Sequence, residues 1–127
     1  MKKAVMTFLA TILVCALGAT MATAAEGYNY ISAAELNARL AAGSSMILVD
    51  ICPVDQFAKG HIKGSIETNA FPVKTDEEKA RLAKILPNIK ASGDDLVIVC
   101  PRGGGGAKNT VDYYKAGGVE EKRLLIL

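Results

Sequence analysis

The chain has 127 residues, which is enough for one domain and too few for two. Hydrophobic residues make up 50% of it and charged residues only 22%, so a disordered or collagen-like chain is excluded. The formal net charge is +2, but part of this charge and much of the apolar excess lie at the N-terminus.

Residues 1–24 have the order of a secretory signal peptide. Lys2 and Lys3 form a short positive region, residues 5–17 an apolar core, and residues 22–24 a small-residue cleavage pattern. The apolar run is short for a bilayer span, and an uncleaved membrane anchor is the alternative. We therefore expect a periplasmic or secreted protein.

Cleavage leaves a domain of about 102 residues, beginning at residue 25. The 15 basic residues lose Lys2 and Lys3, and the remainder balances the 13 acidic residues. A neutral domain offers no basic patch, so neither nucleic acid nor membrane is expected as a partner after cleavage. Cys52 and Cys100 remain, either as a disulfide or with a reactive thiol.

The first elements of the mature chain are a helix and a buried strand. Ser32 and Glu35 form a capping box for a helix of about ten residues that should end at Gly43. The run Met46–Val49 is apolar throughout, as in a strand buried on both faces, and ends at Asp50.

Two further helices and an edge segment follow. Pro53 takes the first position of a short helix that closes at Gly60, and residues 61–66 form a turn and a short edge segment. A second capping box at residues 75–78 begins a helix that Pro87 should stop.

The last third of the chain alternates strand, helix and strand. Leu96–Val99 is a second buried strand, a helix begins near Ala107, and Leu124–Leu127 is a further buried strand. The alternation predicts an α/β fold with a central parallel sheet and helices on both faces, in one domain over 25–127. No residue follows the last strand to cover it, so we expect a missing C-terminal element or cover from a neighbouring subunit.

The segment after the second strand is the candidate active site, since ligands of parallel sheets bind at the carboxyl ends of the strands. Cys100 is followed by Pro101, Arg102, four glycines and Ala107. Glycines let backbone N–H groups converge on the sulfur, and the next helix adds its positive end. We expect N–H donors from Arg102, Gly103, Gly104, Gly105, Gly106 and Ala107 to stabilise a thiolate and bind an anion.

One alternative interpretation of this loop is open, and two known glycine-rich motifs do not match it. A buried structural cysteine followed by a flexible turn is the simplest alternative. A nucleotide phosphate loop requires Gly-Lys-Ser/Thr, which Gly106-Ala107-Lys108-Asn109 does not match. The dinucleotide fingerprint requires a small residue where Lys108 stands, and Asp112 is too near for the ribose contact.

From about Ile31 to Leu127 the sequence resembles the rhodanese domain, a single-domain sulfurtransferase module. Two segments carry the resemblance: Leu48-Val49-Asp50 with the later Gly60-His61-Ile62-Lys63-Gly64-Ser65, and the strand, Cys100, glycine loop and helix. The resemblance implies that Cys100 takes a sulfane sulfur from thiosulfate or a related donor, forms a persulfide and passes the sulfur to a thiophilic acceptor. The implied partners are a small sulfur-containing anion and a thiol or protein acceptor.

The sequence departs from the family pattern at two positions near the site. Cys52 stands where members commonly have Arg two residues after the signature Asp, and Gly105 stands where the loop commonly has Arg. Cys52 either resolves or relays the Cys100 persulfide, or is a small residue that fills an Arg site. Asp50 is expected to hold loop N–H groups, and His61 to be structural.

No metal or other cofactor is predicted, because after Cys15 leaves with the leader two cysteines and one histidine supply at most three soft ligands at unrelated spacings. The sequence leaves two functions open besides sulfur transfer. One is a non-catalytic rhodanese-like module that binds an anion or a protein. The other is a cysteine phosphatase, which requires Arg six residues after the nucleophile, where Gly106 stands.

Overall fold

The computed structural model describes residues 27–127, and the predicted leader lies outside them. The chain forms five strands, five α-helices and one short 3-10 helix, Glu121–Arg123, in this range. The strands are β1 (Asn29–Tyr30), β2 (Met46–Asp50), β3 (Ile66–Glu67), β4 (Asp95–Val99) and β5 (Leu124–Ile126). The helices are α1 (Ala33–Ala41), α2 (Val54–Lys59), α3 (Asp76–Ala83), α4 (Leu86–Ala91) and α5 (Gly105–Ala116). None of these helices is long and apolar enough to cross a membrane.

The strands make one all-parallel sheet in the order β1-β5-β4-β2-β3. Alternate residues of the central strands face opposite sides, as the pleat requires. Leu96 and Ile98 belong to a large core that also contains buried residues of α3, α4 and α5, whereas Leu48 and Val97 pack with Leu36 of α1. The predicted α/β class, with helices on both faces of a parallel sheet, is confirmed.

The pairing of β2 with β4 brings the two cysteine-bearing strand ends together. Asp50 lies opposite Val99, and the Ile51 N–H donates to the Val99 carbonyl at 2.9 Å. Cys52 and Cys100 therefore follow neighbouring strands at the same edge of the sheet.

Both predicted capping boxes begin helices, but only one is complete. Thr75 caps α3 through the Glu78 N–H, and the Glu78 carboxylate accepts from the Thr75 N–H. Ser32 accepts from the Glu35 N–H at 3.1 Å, whereas the Glu35 carboxylate pairs with Arg39 at 2.7 Å. The reciprocal half of the first box is therefore replaced by an ion pair one turn along the helix.

The prediction that Pro87 stops a helix is wrong. α3 ends at Ala83, and Pro87 lies in the first turn of the separate helix α4. A proline in the first turn costs no backbone hydrogen bond, because the first N–H groups of a helix have no partner within it. Pro53 likewise precedes α2 as its N-terminal cap instead of taking the first helical position.

The last strand is covered on one of its faces within the described chain. β5 lies between β4 and β1, and Leu124 and Ile126 are fully buried within the chain. The two-residue strand β1 was not predicted, because it is too short to show an apolar period. It pairs with β5, and the Ile31 N–H continues the ladder to the Ile126 carbonyl at 2.9 Å.

Candidate active site at the carboxyl end of the sheet

Cys100 is the residue directly after β4 and is partly exposed. It packs against the larger core on one side and lines a cavity on the other. The strand holds the backbone before it, since Val97, Ile98 and Leu96 are completely buried. A thiol fixed in this way is accessible to a small ligand without any movement of the sheet.

The loop after Cys100 is shorter than the four glycines suggest. Helix α5 begins at Gly105 with Gly104 as its cap, two residues before the predicted start. Lys108 N–H makes the first bond of the helix, to the Gly104 carbonyl at 3.1 Å. The N–H groups of Gly105, Gly106 and Ala107 therefore have no carbonyl acceptor in the helix, and the positive end of the helix dipole is here.

Two of the four glycines are required by contacts, and two are not. Gly103 has φ of +58°, and a Cβ there would lie 2.8 Å from the Leu127 carbonyl oxygen. A Cβ at Gly106 would lie 2.7 Å from the Phe71 ring. At Gly104 and Gly105 a Cβ would have no atom within 4 Å. The loop therefore passes closely over the end of β5 and under one aromatic ring.

The cavity at Cys100 has a volume of about 240 Å³. Most of the predicted site residues line this cavity, together with three residues that the sequence analysis did not predict. Its lining consists of Cys100, Arg102, Gly104, Gly105, Gly106, Phe71, Pro72 and Lys74. Gly103 and Ala107, which were also predicted, lie instead against the end of β5 and in the core.

Phe71, Pro72 and Lys74 lie in the segment between β3 and α3, far from Cys100 in sequence. The only signal for them was an aromatic-proline pair beside a lysine, placed between an edge strand and a capping box. Nothing in that pattern shows which strand end the segment faces. The position follows from the Phe71 N–H, which donates to the Ile51 carbonyl at 2.9 Å just beyond β2.

Asp50 and Cys52 lie beside this cavity, at the end of the neighbouring strand, and do not line it. Asp50 is 2% exposed, and its Oδ1 accepts from the Cys52 N–H at 2.9 Å. Its carbonyl accepts from the Thr68 N–H and hydroxyl at 3.1 and 2.9 Å. Asp50 thus fixes the turn after β2, and its hydrogen bonds within the described residues do not reach the loop after Cys100.

Cys52 and Cys100 are both free thiols. Burial, a hydrogen bond to Asp50 and the Asp50 charge raise the pKa of the Cys52 thiol to about 12, and the nearby Cys100 adds to the rise. Cys52 is therefore protonated at neutral pH, and a protonated thiol is a poor nucleophile. This property favours the interpretation of Cys52 as a small residue in an Arg site over that of a relay.

His61 lies away from the cavity, in the turn after α2. Its ring stacks on Phe57 with centroids 3.8 Å apart, and its Nδ1 is 3.0 Å from the Phe57 carbonyl oxygen. Within residues 27–127, no group of three His, Cys, Asp or Glu side chains is arranged to hold a metal ion.

The family model described as rhodanese-like domain matches residues 32–126. The match spans most of the chain, including Cys52, Cys100 and all three residues of the missed segment, so the chain belongs to the rhodanese-like domain family. No curated protein and no solved structure matches it. The family includes sulfurtransferases and also many non-catalytic members, so the chain is a sulfurtransferase-type or sulfur-binding module.

Proposed function

We propose that the protein is an enzyme that accepts a sulfane sulfur on Cys100, from thiosulfate or a related donor, and passes it to a thiophilic acceptor. One observation carries this proposal: the partly exposed Cys100 thiol opens into a cavity lined by the start of α5. A persulfide carries negative charge on its outer sulfur, and N–H groups without acceptors stabilise such a charge.

The reaction balances without an added oxidant or reductant. The Cys100 thiolate attacks the outer sulfur of thiosulfate, the S–S bond of the donor breaks, and sulfite leaves with the bonding electron pair. A nucleophilic acceptor, such as cyanide or a thiolate, then attacks the outer sulfur of the persulfide and releases the Cys100 thiolate. Arg102, which lines the cavity, provides positive charge for the anionic donor and for the departing sulfite.

Mass spectrometry of the reduced mature protein tests this function. Incubation with thiosulfate should add one sulfur to Cys100, and cyanide should remove it. Cys100→Ser should acquire no adduct, whereas Cys52→Ser, the matched control at the neighbouring strand end, should acquire it as the wild type does. The proposal is wrong if neither thiosulfate nor inorganic polysulfide adds sulfur, or if the adduct persists in Cys100→Ser.

A non-catalytic anion-binding module is the second candidate, and Gly105 favours it. Where family members commonly have a loop Arg, this residue contributes only backbone, and Arg102 is the single guanidinium in the cavity lining. In such a module, a bound anion would protect Cys100 from alkylation, but Cys100 would form no persulfide.

A cysteine phosphatase fits poorly. That chemistry requires Arg at the position of Gly106, and any side chain there meets the Phe71 ring and, at 3.2 Å, the Ile51 side chain. The neighbouring side chains leave no space for an arginine at position 106, and the glycine there carries no charge. Phosphate release from an aryl phosphate, lost in Cys100→Ser, would contradict this assignment.

We also propose that the protein is exported, on the strength of the leader pattern in residues 1–24. N-terminal sequencing of the protein recovered from the periplasm or the medium should begin at residue 25 or 26. A protein that keeps residue 1 and sediments with membranes would instead be an anchored one. The proposed partners remain a small sulfur-containing anion and a thiol or protein acceptor.

A further inference from the structure

The sheet has two edges, β1 and β3, with no further strand beyond either of them among residues 27–127. In a parallel ladder, alternate residues of a strand bond to the same neighbour. At β1 the Ile31 N–H donates to the Ile126 carbonyl, beside the pair of Tyr30 with Ile126. Tyr30 therefore directs its own N–H and carbonyl away from β5. These groups can pair with one more strand.

The side chain of Tyr30 is exposed, although its ring is large and aromatic. Its exposed fraction is 55%, and it lines a groove of about 570 Å³ between the edge strand and α1. Leu125 of β5, which is only half-buried, also lines this groove. An aromatic ring and a leucine that stay in contact with water beside outward-facing backbone groups are typical of a protein contact.

The edge strand β1 is held in place by its own side chains. Asn29 donates to the Glu121 carbonyl at 3.1 Å, and the Tyr28 hydroxyl donates to the Asp112 carboxylate at 3.0 Å. The ladder to β5 continues through the Ile31 N–H just beyond the strand. A strand that is fixed in this way loses little conformational entropy when another strand pairs with it.

A comparison of the two edges shows which of them suits a second copy of this chain. At β3 the outward-facing residue is Glu67, since the next N–H, that of Thr68, donates to the Asp50 carbonyl. Two β3 edges would place two carboxylates opposite each other, which is destabilising. Two β1 edges would instead place Tyr30 against Tyr30 of the second copy, and aromatic pairs across strands are stabilising.

The charges that line the groove are also complementary to a second copy. Glu35 is in the first turn of α1, which follows β1, so it lies near the carboxyl end of that strand. Lys122 precedes β5 and therefore lies near the amino end, with its side chain 80% exposed. Antiparallel pairing of two β1 edges brings the amino end of each strand to the carboxyl end of the other. Lys122 of each copy then faces Glu35 of the other copy.

We infer that two copies of this chain pair antiparallel through β1 and form one continuous sheet across a twofold axis. The contact has the Tyr30 backbone and ring at its centre and two contacts between Lys122 and Glu35 around it. Because such an interface is small, we expect a dissociation constant of roughly 10 μM to 1 mM. β5 lies between this edge and β4, so the cavity at Cys100 stays open in the dimer. The inference does not depend on the proposed function.

Analytical ultracentrifugation of the reduced mature protein over a concentration series tests the inference. The wild type should show an equilibrium between monomer and dimer, and Tyr30→Glu should raise the dissociation constant at least about tenfold, because it places two carboxylates at the contact. Ile66→Glu, at an exposed position of the other edge strand, should keep the wild-type constant. A wild type that remains monomeric at about 1 mM overturns the inference, as do equal constants in the two variants.

Reversal of the two charges tests the antiparallel orientation. Lys122→Glu and Glu35→Lys should each raise the dissociation constant by roughly fivefold to tenfold, because like charges then face each other at both contacts. A mixture of the two variants should dimerise about as well as the wild type, since each contact again joins an acidic and a basic side chain. Lys63→Glu, in the turn before β3, is the control and should change nothing. A mixture that dimerises no better than either variant alone overturns the pairing.

Cysteine chemistry separates this contact from the proposed function. Cys100→Ser should dimerise as the wild type does, and iodoacetamide should modify Cys100 at the same rate in the wild-type dimer and in monomeric Tyr30→Glu. Loss of the dimer in Cys100→Ser, or a dimer that shields Cys100, would place the contact at the cavity and overturn the inference. Dimerisation through β1 in a protein that forms no persulfide would support the contact and overturn the proposed function alone.

Discussion

Cys52 and Cys100 follow the ends of neighbouring strands, two residues after β2 and one residue after β4, yet their surroundings differ. Burial raises the pKa of the Cys52 thiol, and the neighbouring buried Asp50 carboxylate raises it further. Cys100 is followed by a helix N-terminus and lines an open cavity. The surroundings of each sulfur therefore determine which of the two thiols is reactive. The position of each cysteine at a strand end does not distinguish them.

Selective alkylation checks this assignment. With a pKa of about 12, the Cys52 thiol should remain protonated and unmodified by iodoacetamide up to about pH 10, while Cys100 is modified. Thiol counting on the unfolded, non-reduced protein should give two thiols in the mature chain. Peptide mapping that finds Cys52 modified at pH 7, or a count of zero, would contradict the assignment.

Glycines of the loop should differ in their tolerance to substitution. Gly103→Ala should destabilise the protein by at least about 1 kcal/mol, because the alanine Cβ would meet the Leu127 carbonyl at a positive φ. Gly104→Ala is the control, since its Cβ meets nothing within 4 Å. Urea unfolding of the two variants measures the difference, and equal stabilities would show that the loop relaxes freely.

Gly105 offers space for the side chain that the family commonly carries there. Gly105→Arg should fold normally, because no atom lies within 4 Å of the added Cβ, and helix propensity favours Arg over Gly. It should lower the KM for thiosulfate by roughly tenfold by adding a second guanidinium to the cavity lining. An unchanged KM would mean that donor binding does not depend on charge at this position.

Helix α3 links stability to the cavity. Glu78 accepts from the N–H groups of both Thr75 and Lys74, so the cap of the helix also fixes the backbone of the cavity wall. These hydrogen bonds lower the pKa of the Glu78 carboxyl, the bond from Thr75 first. Their stabilising contribution is present above the ordinary Glu pKa and is lost as the pH falls through the lowered value.

Removal of the cap should therefore affect both the stability of the protein and anion binding in the cavity. Thr75→Ala should reduce the free energy of unfolding by about 1 kcal/mol, whereas Ser44→Ala, an exposed serine outside any helix, should change it little. Glu78→Gln should also weaken the protection from alkylation that a bound inorganic anion gives Cys100. A Glu78→Gln protein with full protection would separate the helix cap from the cavity wall.

The sequence predicts the central elements well, because their signals are local. The runs at β2 and β4 are apolar throughout, and the box at Thr75 begins a helix as expected. The prediction that Pro87 stops a helix was wrong because a proline is equally compatible with the end of one helix and with the first turn of the next. β1 was missed because two residues have no period and its partner β5 lies far along the chain.

The site was predictable only on the side that Cys100 and its loop provide. Those residues are consecutive, so their chemistry can be read directly from the sequence. Phe71 and Lys74 reach the cavity through the register of β3 against β2 and through the strained turn at Val73. Both are tertiary properties, and no local pattern specifies which strand end a connecting segment crosses.

At the scale of the whole molecule, the core depends on the last strand. Ile126 is completely buried and belongs to the larger core, so Ile126→Ala should cost about 2–5 kcal/mol. Leu40→Ala, at a 37% exposed position of α1, should cost much less. Denaturant unfolding at constant pH measures both, and similar costs would mean that β5 is not an integral part of the core.

The pairing of β1 with β5 also bears on when folding can finish. Asn29 and Leu125 are paired residues from opposite ends of the described chain, and β5 fills the position between β1 and β4. A nascent polypeptide that has not yet reached β5 therefore lacks a strand from the inside of its sheet, and its early strand has no partner. Long-range pairing of this kind delays folding relative to synthesis. Formation of the complete sheet can therefore finish only after synthesis has reached β5.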